Sequence, residues 1–262
     1  MLGLDISEID MVGPWTTMLL FVRMSAVLYS LPGIGTQMVP AALRASFGLA
    51  IAIGLAVSGQ HAPSPESFTQ GISMMISEFA LGYILGMVPS LILSGVAVAG
   101  QIIAGVIGLA QASMIDPSLN TNSAVLAHIQ SMFATIVFLA CNGHHAIIRF
   151  AALVNDSAPI GSFHPDAHTA AMLTDYFESS FALSLSLSAP VLAATLLSQF
   201  VMGLITRFIP QVNIFIISLP LTIIMGLFVI IYTFPRFLEL LEYEFIDIGE
   251  RAGAIFLSAM GG

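Results

Sequence analysis

The chain has 262 residues, of which 57% are hydrophobic and only 8% are charged, and its formal net charge is −9. An ordinary soluble domain carries about 25% charged residues, so this chain lacks the charge that would cover a water-facing surface. Its six cations are all arginines. The absence of lysine excludes a P-loop nucleotide site, and the acidic balance argues against nucleic acid as a partner, because that binding needs a cationic face.

The charged residues are also unevenly spread along the chain. Four long stretches contain none of them: residues 79–115, 117–148, 179–206 and 208–235. A helix that crosses the roughly 30 Å hydrocarbon layer needs about 20 mostly apolar residues. The pattern therefore predicts an all-α, membrane-inserted protein. The first 22 residues contain three acids and no basic residue, which is not typical of a cleavable signal peptide.

Six hydrophobic helical segments are expected in chain order. They cover about residues 14–31, 40–57, 71–98, 124–143, 180–206 and 214–234. Pro89 predicts a bend in the third segment, because proline removes one helical hydrogen bond. Residues 149–179 form the longest polar region, and residues 236–262 are expected to be an amphipathic helix end. Six crossings would place both termini on the same side of the membrane.

Residues 99–122 interrupt this pattern with closely spaced glycines. Gly100, Ala104, Gly108 and Ala112 recur every four residues, which would form a smooth stripe that lets helices approach closely in an apolar medium. The alternative is a mobile segment that lines a pathway, since irregular backbone at membrane depth survives only where protein buries it or water reaches it. The spacing leaves both interpretations open. The pair Gly82 and Gly86 predicts a second close helix contact.

Two acids lie in apolar surroundings, and each has two interpretations. An ionisable group inside a membrane is costly and often belongs to a proton relay. Glu78 is either such a site or, as we favour, a helix-start residue near the interface. Asp116 precedes a proline, so it is either a turn residue that ends a helix or a possible proton site. A proton-coupled secondary transporter is therefore kept as a weaker alternative function.

No catalytic or metal-binding motif stands out. There is no Gly-x-Ser-x-Gly nucleophile elbow and no His-Glu-x-x-His zinc motif. His164 and His168 have a spacing that suits a metal on a helix, but Pro165 and nearby acids favour a solvated loop. His144 and His145 are expected to cap a helix end at the interface. We predict no enzyme activity, no cofactor and no metal.

Several strings together carry a resemblance to a known family. The most specific is GLITRFIPQVNIF, residues 203–215, followed by Leu219-Pro220. The others, in the same order as in the family, are Gly100-Gln101, Ile115-Asp116-Pro117, the string FLACNGHH at residues 138–145, and Pro190. The chain resembles the FliR family of flagellar export-gate proteins over nearly its whole length. Its Asn142-Gly143-His144-His145 string looks flagellar, although injectisome relatives share the overall pattern.

The resemblance implies more than the residue patterns do. Members of this family join FliP and FliQ in a helical export gate, with FlhB docked on it, which carries unfolded flagellar proteins out of the cytoplasm. The expected location is the bacterial inner membrane, at the flagellar basal body. The resemblance divides the chain into a FliP-like part, about residues 1–178, and a FliQ-like helical hairpin and tail, about residues 179–262.

The resemblance also assigns roles to two short segments. A glycine-rich loop that plugs the closed pore corresponds to residues 105–119, with Gly105, Gly108, Gln111, Met114, Asp116 and Pro117 as its marked positions. The tip of the last hairpin corresponds to residues 207–213, with Arg207, Pro210, Gln211 and Asn213. Gln101, Asn142, Gly143, His144, His145 and Pro190 are family-motif positions.

Overall fold

The computed structural model describes residues 12–35, 39–109, 122–153, 159–208, 214–246 and 248, and all regular secondary structure in these ranges is α-helical. The helices are α1 (Val12–Ser30), α2 (Ala41–Val57), α3 (Phe68–Val106), α4 (Asn122–Ala140), α5 (Gly143–Leu153), α6 (Ala167–Phe208) and α7 (Ile214–Ile246). The prediction of an all-α protein is confirmed, and each of the six expected hydrophobic segments corresponds to a helix.

The helices differ from the expected segments mainly in length. α3 continues to Val106, so the chain stays helical well into the glycine-rich stretch, and α6 begins at Ala167, inside the expected polar region. α7 runs through Pro235 and takes in the first part of the expected tail. Sequence hydropathy located the apolar centres of these helices, whereas their polar ends carry no comparable signal.

The number of candidate crossings is lower than the six expected. Three described helices, α3, α6 and α7, are long and apolar enough to span a membrane, and α4 with α5 would make a fourth as a span bent by 57°. α2 has only 17 residues, which gives a length of about 25 Å, short of the hydrocarbon layer. α1 contains Arg23, which the fold buries completely.

The chain forms two compact units that are discontinuous in sequence. The first takes its described residues from within 1–90, 139–176 and 245–248, and the second from within 91–138 and 177–244. Leu19, Leu20, Ala52, Met74 and Ile160 belong to the core of the first unit. A core of the second contains Ile103, Ile107 and Val191. The division into FliP-like and FliQ-like parts stays a prediction.

Helix α3 uses glycines to approach its neighbour in the first unit. A Cβ atom at Gly82 would overlap the backbone carbonyl oxygen of Arg23 in α1, and one at Gly86 would overlap the Ser30 hydroxyl. One turn further on, the Ser90 hydroxyl donates to the Ser30 carbonyl oxygen at 2.6 Å. The predicted close contact at Gly82 and Gly86 is therefore confirmed, and it joins α3 to α1.

In the second unit, two further glycines of α3 also allow close contact with neighbouring helices. A Cβ at Gly95 would come within 2.5 Å of the carbonyl oxygen of Ser180 in α6, and one at Gly100 within 2.5 Å of the Cα of Ala127 in α4. Gly100 thus packs closely against α4, which agrees with the small-residue interpretation at this one position. Gly108 lies just beyond the end of α3 with a φ of 90°, a conformation that glycine adopts without steric cost.

Candidate functional site

Among the described residues of the first unit, a completely buried ion pair joins α1 to α3. The Arg23 guanidinium donates from Nε to Glu78 Oε2 at 2.5 Å and from Nη2 to Oε1 at 3.0 Å. Both side chains are 1% exposed. This two-point geometry matches the planar donor fork of arginine to a carboxylate, which makes it one of the stronger polar contacts available to a protein.

The same pair also holds two irregular pieces of backbone. The Gly161 amide donates to Glu78 Oε1 at 2.6 Å, and Arg23 Nη1 donates to the Ala151 carbonyl oxygen near the end of α5 at 3.2 Å. Gly161 has a φ of 83°, and a Cβ there would strike the side chain of Met74. The ion pair therefore connects the end of α5, at Ala151, and the backbone at Gly161 to α1 and α3.

Glu78 lies eleven residues into α3 and is fully buried, so the expectation that it starts the helix is wrong. Its carboxylate accepts three hydrogen bonds, from Arg23 and Gly161, and this arrangement suits a structural anchor better than a site that exchanges protons with solvent. Sequence reasoning missed Arg23. The signal was available, because Arg23 is the only charge in the first hydrophobic segment and a lone intramembrane charge usually has a partner.

The structure describes only the beginning of the expected pore plug. Gly105 lies in the last turn of α3, where a Cβ would meet nothing within 4 Å, and Gly108 follows the helix end. Gln111, Met114, Asp116 and Pro117 lie outside the described residues. Their role as a plug, and that of Asp116 as a proton site, stays a prediction.

Of the four marked positions at the expected hairpin tip, the structure describes one. Arg207 lies in the last turn of α6, where its positive charge complements the negative end of the helix dipole. Pro210, Gln211 and Asn213 lie outside the described residues, so their role stays a prediction.

Two of the remaining motif positions lie on long helices. Gln101 is exposed on α3, where it lines a shallow surface depression with His128 and Ser131. Pro190 lies inside α6. A buried row of hydroxyl groups runs along α6 on both sides of it, and most of them donate to carbonyl oxygens of their own helix. The row consists of Ser180, Ser184, Ser188, Thr195 and Ser198.

The motif at residues 142–145 makes the break between α4 and α5. Asn142 has a φ of 56°, which is the left-handed conformation that Asn tolerates better than most residues. Its side-chain Oδ1 lies 3.2 Å from Nδ1 of His145, and the rings of His144 and His145 lie 4.1 Å apart. Gly143 begins α5. The two histidines thus lie in the first turn of a new helix.

Asp166 begins α6 as its N-terminal cap. Its carboxylate accepts hydrogen bonds from the Thr169 amide and hydroxyl, both at 2.7 Å, and these bonds lower the pKa of Asp166. His164 precedes the cap, and its Nδ1 lies 2.7 Å from the Ser162 carbonyl oxygen, while His168 lies in the first turn of α6. Among the described residues no cluster of side chains suits a metal ion.

These features define a class of protein. Long apolar helices joined through glycine contacts, a fully buried ion pair and broad exposed apolar faces are typical of a helical membrane protein that packs against lipid or other subunits. The sequence matches the family described as bacterial export proteins, family 1, over residues 15–248. The chain belongs to this family.

Individual relatives agree with the family match. The chain is 33% identical to the "Flagellar biosynthetic protein FliR" of Caulobacter vibrioides over 213 residues, which cover 80% of this chain and 84% of the relative. It is 27% identical to the protein of that name from Escherichia coli, with 87% of each chain covered. It is also 25% identical to the "Surface presentation of antigens protein SpaR" of Shigella sonnei, with 80% and 81% covered.

Proposed function

We propose that the chain is a structural, non-enzymatic subunit of the flagellar type III protein export gate. The observation that carries the proposal is the family match over residues 15–248, together with relatives whose names place them in flagellar biosynthesis. The fold agrees with a structural role. In the most apolar window of α7 only 11% of the residues are buried within the chain, so this helix needs lipid or another subunit to cover it.

The partners proposed for the chain are FliP and FliQ, which would form the export pore with it, and FlhB, which would dock on the assembled gate. The gate would lie in the bacterial inner membrane at the flagellar basal body. Its substrates would be unfolded flagellar proteins. The exposed apolar faces of α6 and α7 support an assembly of this kind, because a water-soluble monomer rarely exposes such large patches.

The mechanism proposed for the gate is steric. Residues 105–119 would block the pore until an export substrate displaces them, and no step requires a bond to be made or broken in the protein. The described part of this segment supports the idea in one respect. α3 ends at Val106, the second residue of this segment, and the chain turns at Gly108 with a positive φ, so α3 does not run on through the proposed plug.

Deletion and co-purification test the assignment. In the organism that encodes the chain, its deletion should abolish motility and leave flagellar export substrates in the cytoplasm, and the affinity-tagged chain should co-purify with FliP and FliQ. Motility and export that survive the deletion would refute the proposed function. So would a chain that remains folded and functional in cells from which FliP and FliQ have been deleted.

Shortening the proposed plug tests the mechanism separately. Removal of residues 110–114 should increase leakage of small solutes through the membrane, while co-purification with FliP and FliQ continues. The matched control is a deletion of similar size in the polar stretch 154–158, outside the proposed pore. Unchanged leakage in a gate that assembles normally would contradict the plug without affecting the assignment to the export gate.

The second candidate function is an injectisome subunit. The 25% identity to SpaR is the observation that favours it. The Asn142-Gly143-His144-His145 string and the higher identity to the Caulobacter FliR favour the flagellar assignment. The two candidates differ in their phenotype. Loss of motility after deletion supports the flagellar gate, whereas loss of host-directed secretion with normal motility supports the injectisome.

A further inference from the structure

The first residue after α3 is buried against a glycine of α7. Ile107 is 0% exposed and packs with Ile103 and Val191 in a core of the second unit. A Cβ at Gly226 of α7 would overlap Cγ2 of Ile107 and come within 3.1 Å of its Cβ. The Ile107 side chain therefore occupies a notch in α7 that exists because residue 226 has no side chain.

This notch is important for α7 because little else of that helix is covered by its own chain. In the most apolar window of α7 only 11% of the residues are buried. Gly226 is buried, and so is Thr222, one turn before it. The place of α7 within the second unit therefore depends strongly on the contact with Ile107.

The same contact lies at the point where the chain leaves α3. The Ile107 amide donates to the Ile103 carbonyl oxygen at 3.0 Å and so continues the helical pattern, whereas the Gly108 amide donates to Gly105 at 3.3 Å. Gly108 has a φ of 90°, and a residue of this conformation after the last helical turn ends a helix and redirects the chain. The chain thus turns one residue after its buried contact.

The chemistry of Ile107 makes it a firm support for this turn. A β-branched side chain is stiff at χ1, so Cγ2 cannot move out of the notch without a rotamer change inside a packed core. Gly105 provides no such support, since no described atom lies within 4 Å of its Cβ position. Of these two residues of the proposed plug segment 105–119, Ile107 is therefore the one that ties it to another helix.

We propose that Ile107, held in the notch at Gly226, is a positioning residue of the export gate. It fixes the point and direction in which the segment 105–119 leaves α3, and the closed gate depends on that placement. The contact also links this segment to α7, so a shift of α7 displaces the base of the plug. This inference rests on the proposed export function and on the proposed plug.

Gly226→Ala tests the proposal in cells that carry the complete gate. The added methyl group overlaps Cγ2 of Ile107, so either Ile107 leaves the notch or α7 moves away. Leakage of small solutes through the membrane should rise by roughly fivefold or more, the ratio expected when a buried contact is overpacked. The tagged chain should still co-purify with FliP and FliQ. Gly54→Ala is the control, because it adds a methyl group to an exposed helical glycine with no described atom within 4 Å, and it should leave leakage unchanged.

A second substitution tests the contact from its other side. Ile107→Ala empties the notch and should also increase leakage. In the double variant Ile107→Ala/Gly226→Ala, the methyl group at position 226 takes the place of Cγ2 and meets the Cβ of residue 107 at about the 3.1 Å given above. The double variant should therefore leak less than either single variant, whereas substitutions at independent sites would add their effects.

The outcomes separate this inference from the functions on which it rests. Normal leakage in an assembled Gly226→Ala gate, together with increased leakage after removal of residues 110–114, would overturn the positioning role and leave the plug standing. Additive leakage in the double variant would overturn it as well. If removal of residues 110–114 has no effect, the plug and this inference fail together, while deletion and co-purification still decide the assignment to the gate. Should Gly226→Ala fail to assemble, Ile107→Ala decides, and normal leakage in that variant would refute the proposal.

Discussion

Arg23 and Glu78 are 55 residues apart in sequence, and their side chains meet in a two-point ion pair that is almost completely buried. Removing both charges from water is expensive, and their attraction offsets that cost only when the geometry is good and the remaining polar atoms are satisfied. Here the additional bonds to the Gly161 amide and the Ala151 carbonyl oxygen help to satisfy them.

Breaking this pair from one side should destabilise the first unit strongly. Arg23→Met or Glu78→Gln leaves one buried charge without its partner, which typically costs about 3–5 kcal/mol. The double variant Arg23→Met/Glu78→Leu should recover much of that loss, because no uncompensated charge remains. Unfolding of the purified chain in detergent, analysed as a double-mutant cycle, measures the coupling between the two residues.

The chain offers a matched control for this experiment in the pair Arg236–Glu239. Its two side chains are 71% and 64% exposed, and an exposed pair of this kind contributes at most about 1 kcal/mol. Arg236→Ala should therefore change the free energy of unfolding very little. Single variants at Arg23 and Glu78 with equally small effects would show that the buried pair is not an anchor.

Gly82 should not tolerate even a methyl group. A Cβ there meets the backbone carbonyl oxygen of Arg23, which cannot rotate away as a side chain could, so Gly82→Ala should separate α1 from α3 at a cost of about 1–3 kcal/mol. Gly54→Ala in α2 is the control, since nothing lies within 4 Å of its Cβ position. That change should stabilise the helix by about 0.5–1 kcal/mol. Opposite signs in thermal unfolding are the expected result, and equal signs would disprove the close contact.

The comparison between Gly82 and Glu78 shows what the sequence could and could not predict. Gly82 and Gly86 lie one helical turn apart, so their spacing alone indicates a smooth contact face. The partner of Glu78 lies on another helix 55 residues away, and no local pattern encodes which helices meet. Sequence could at most note that Arg23 and Glu78 are isolated charges of opposite sign.

Asn142 should be replaceable by glycine but not by alanine. Its φ of 56° is costly for residues with an ordinary Cβ, by roughly 1–2 kcal/mol, and Asn142→Ala also removes the side-chain oxygen that faces His145. Asn142→Gly should have the stability of the wild type within about 0.5 kcal/mol, since glycine adopts this conformation freely. Thermal unfolding of the two variants gives the comparison. Equal destabilisation by both would mean that the contact with His145, not the backbone, determines the break between α4 and α5.

The cap at the start of α6 should make the stability of that helix end depend on pH. The Thr169 amide and hydroxyl lower the pKa of Asp166 in the folded chain, so the charged cap contributes stability above the unfolded pKa of about 3.9. This contribution is lost as the pH falls through the lower folded pKa. The protection factors of the Thr169 and Ala170 amides, which compare their hydrogen exchange with that of an unstructured chain at the same pH, should therefore fall in acid. Asp166→Asn, which still caps a helix, should keep the protection but remove its dependence on pH below about 4.

Two further variants are the controls for this experiment. Asp166→Ala should lose protection at every pH. Asp175→Ala, at an exposed position of the same helix, should behave as the wild type. An Asp166→Asn variant with the same acid response as the wild type would show that another group is responsible.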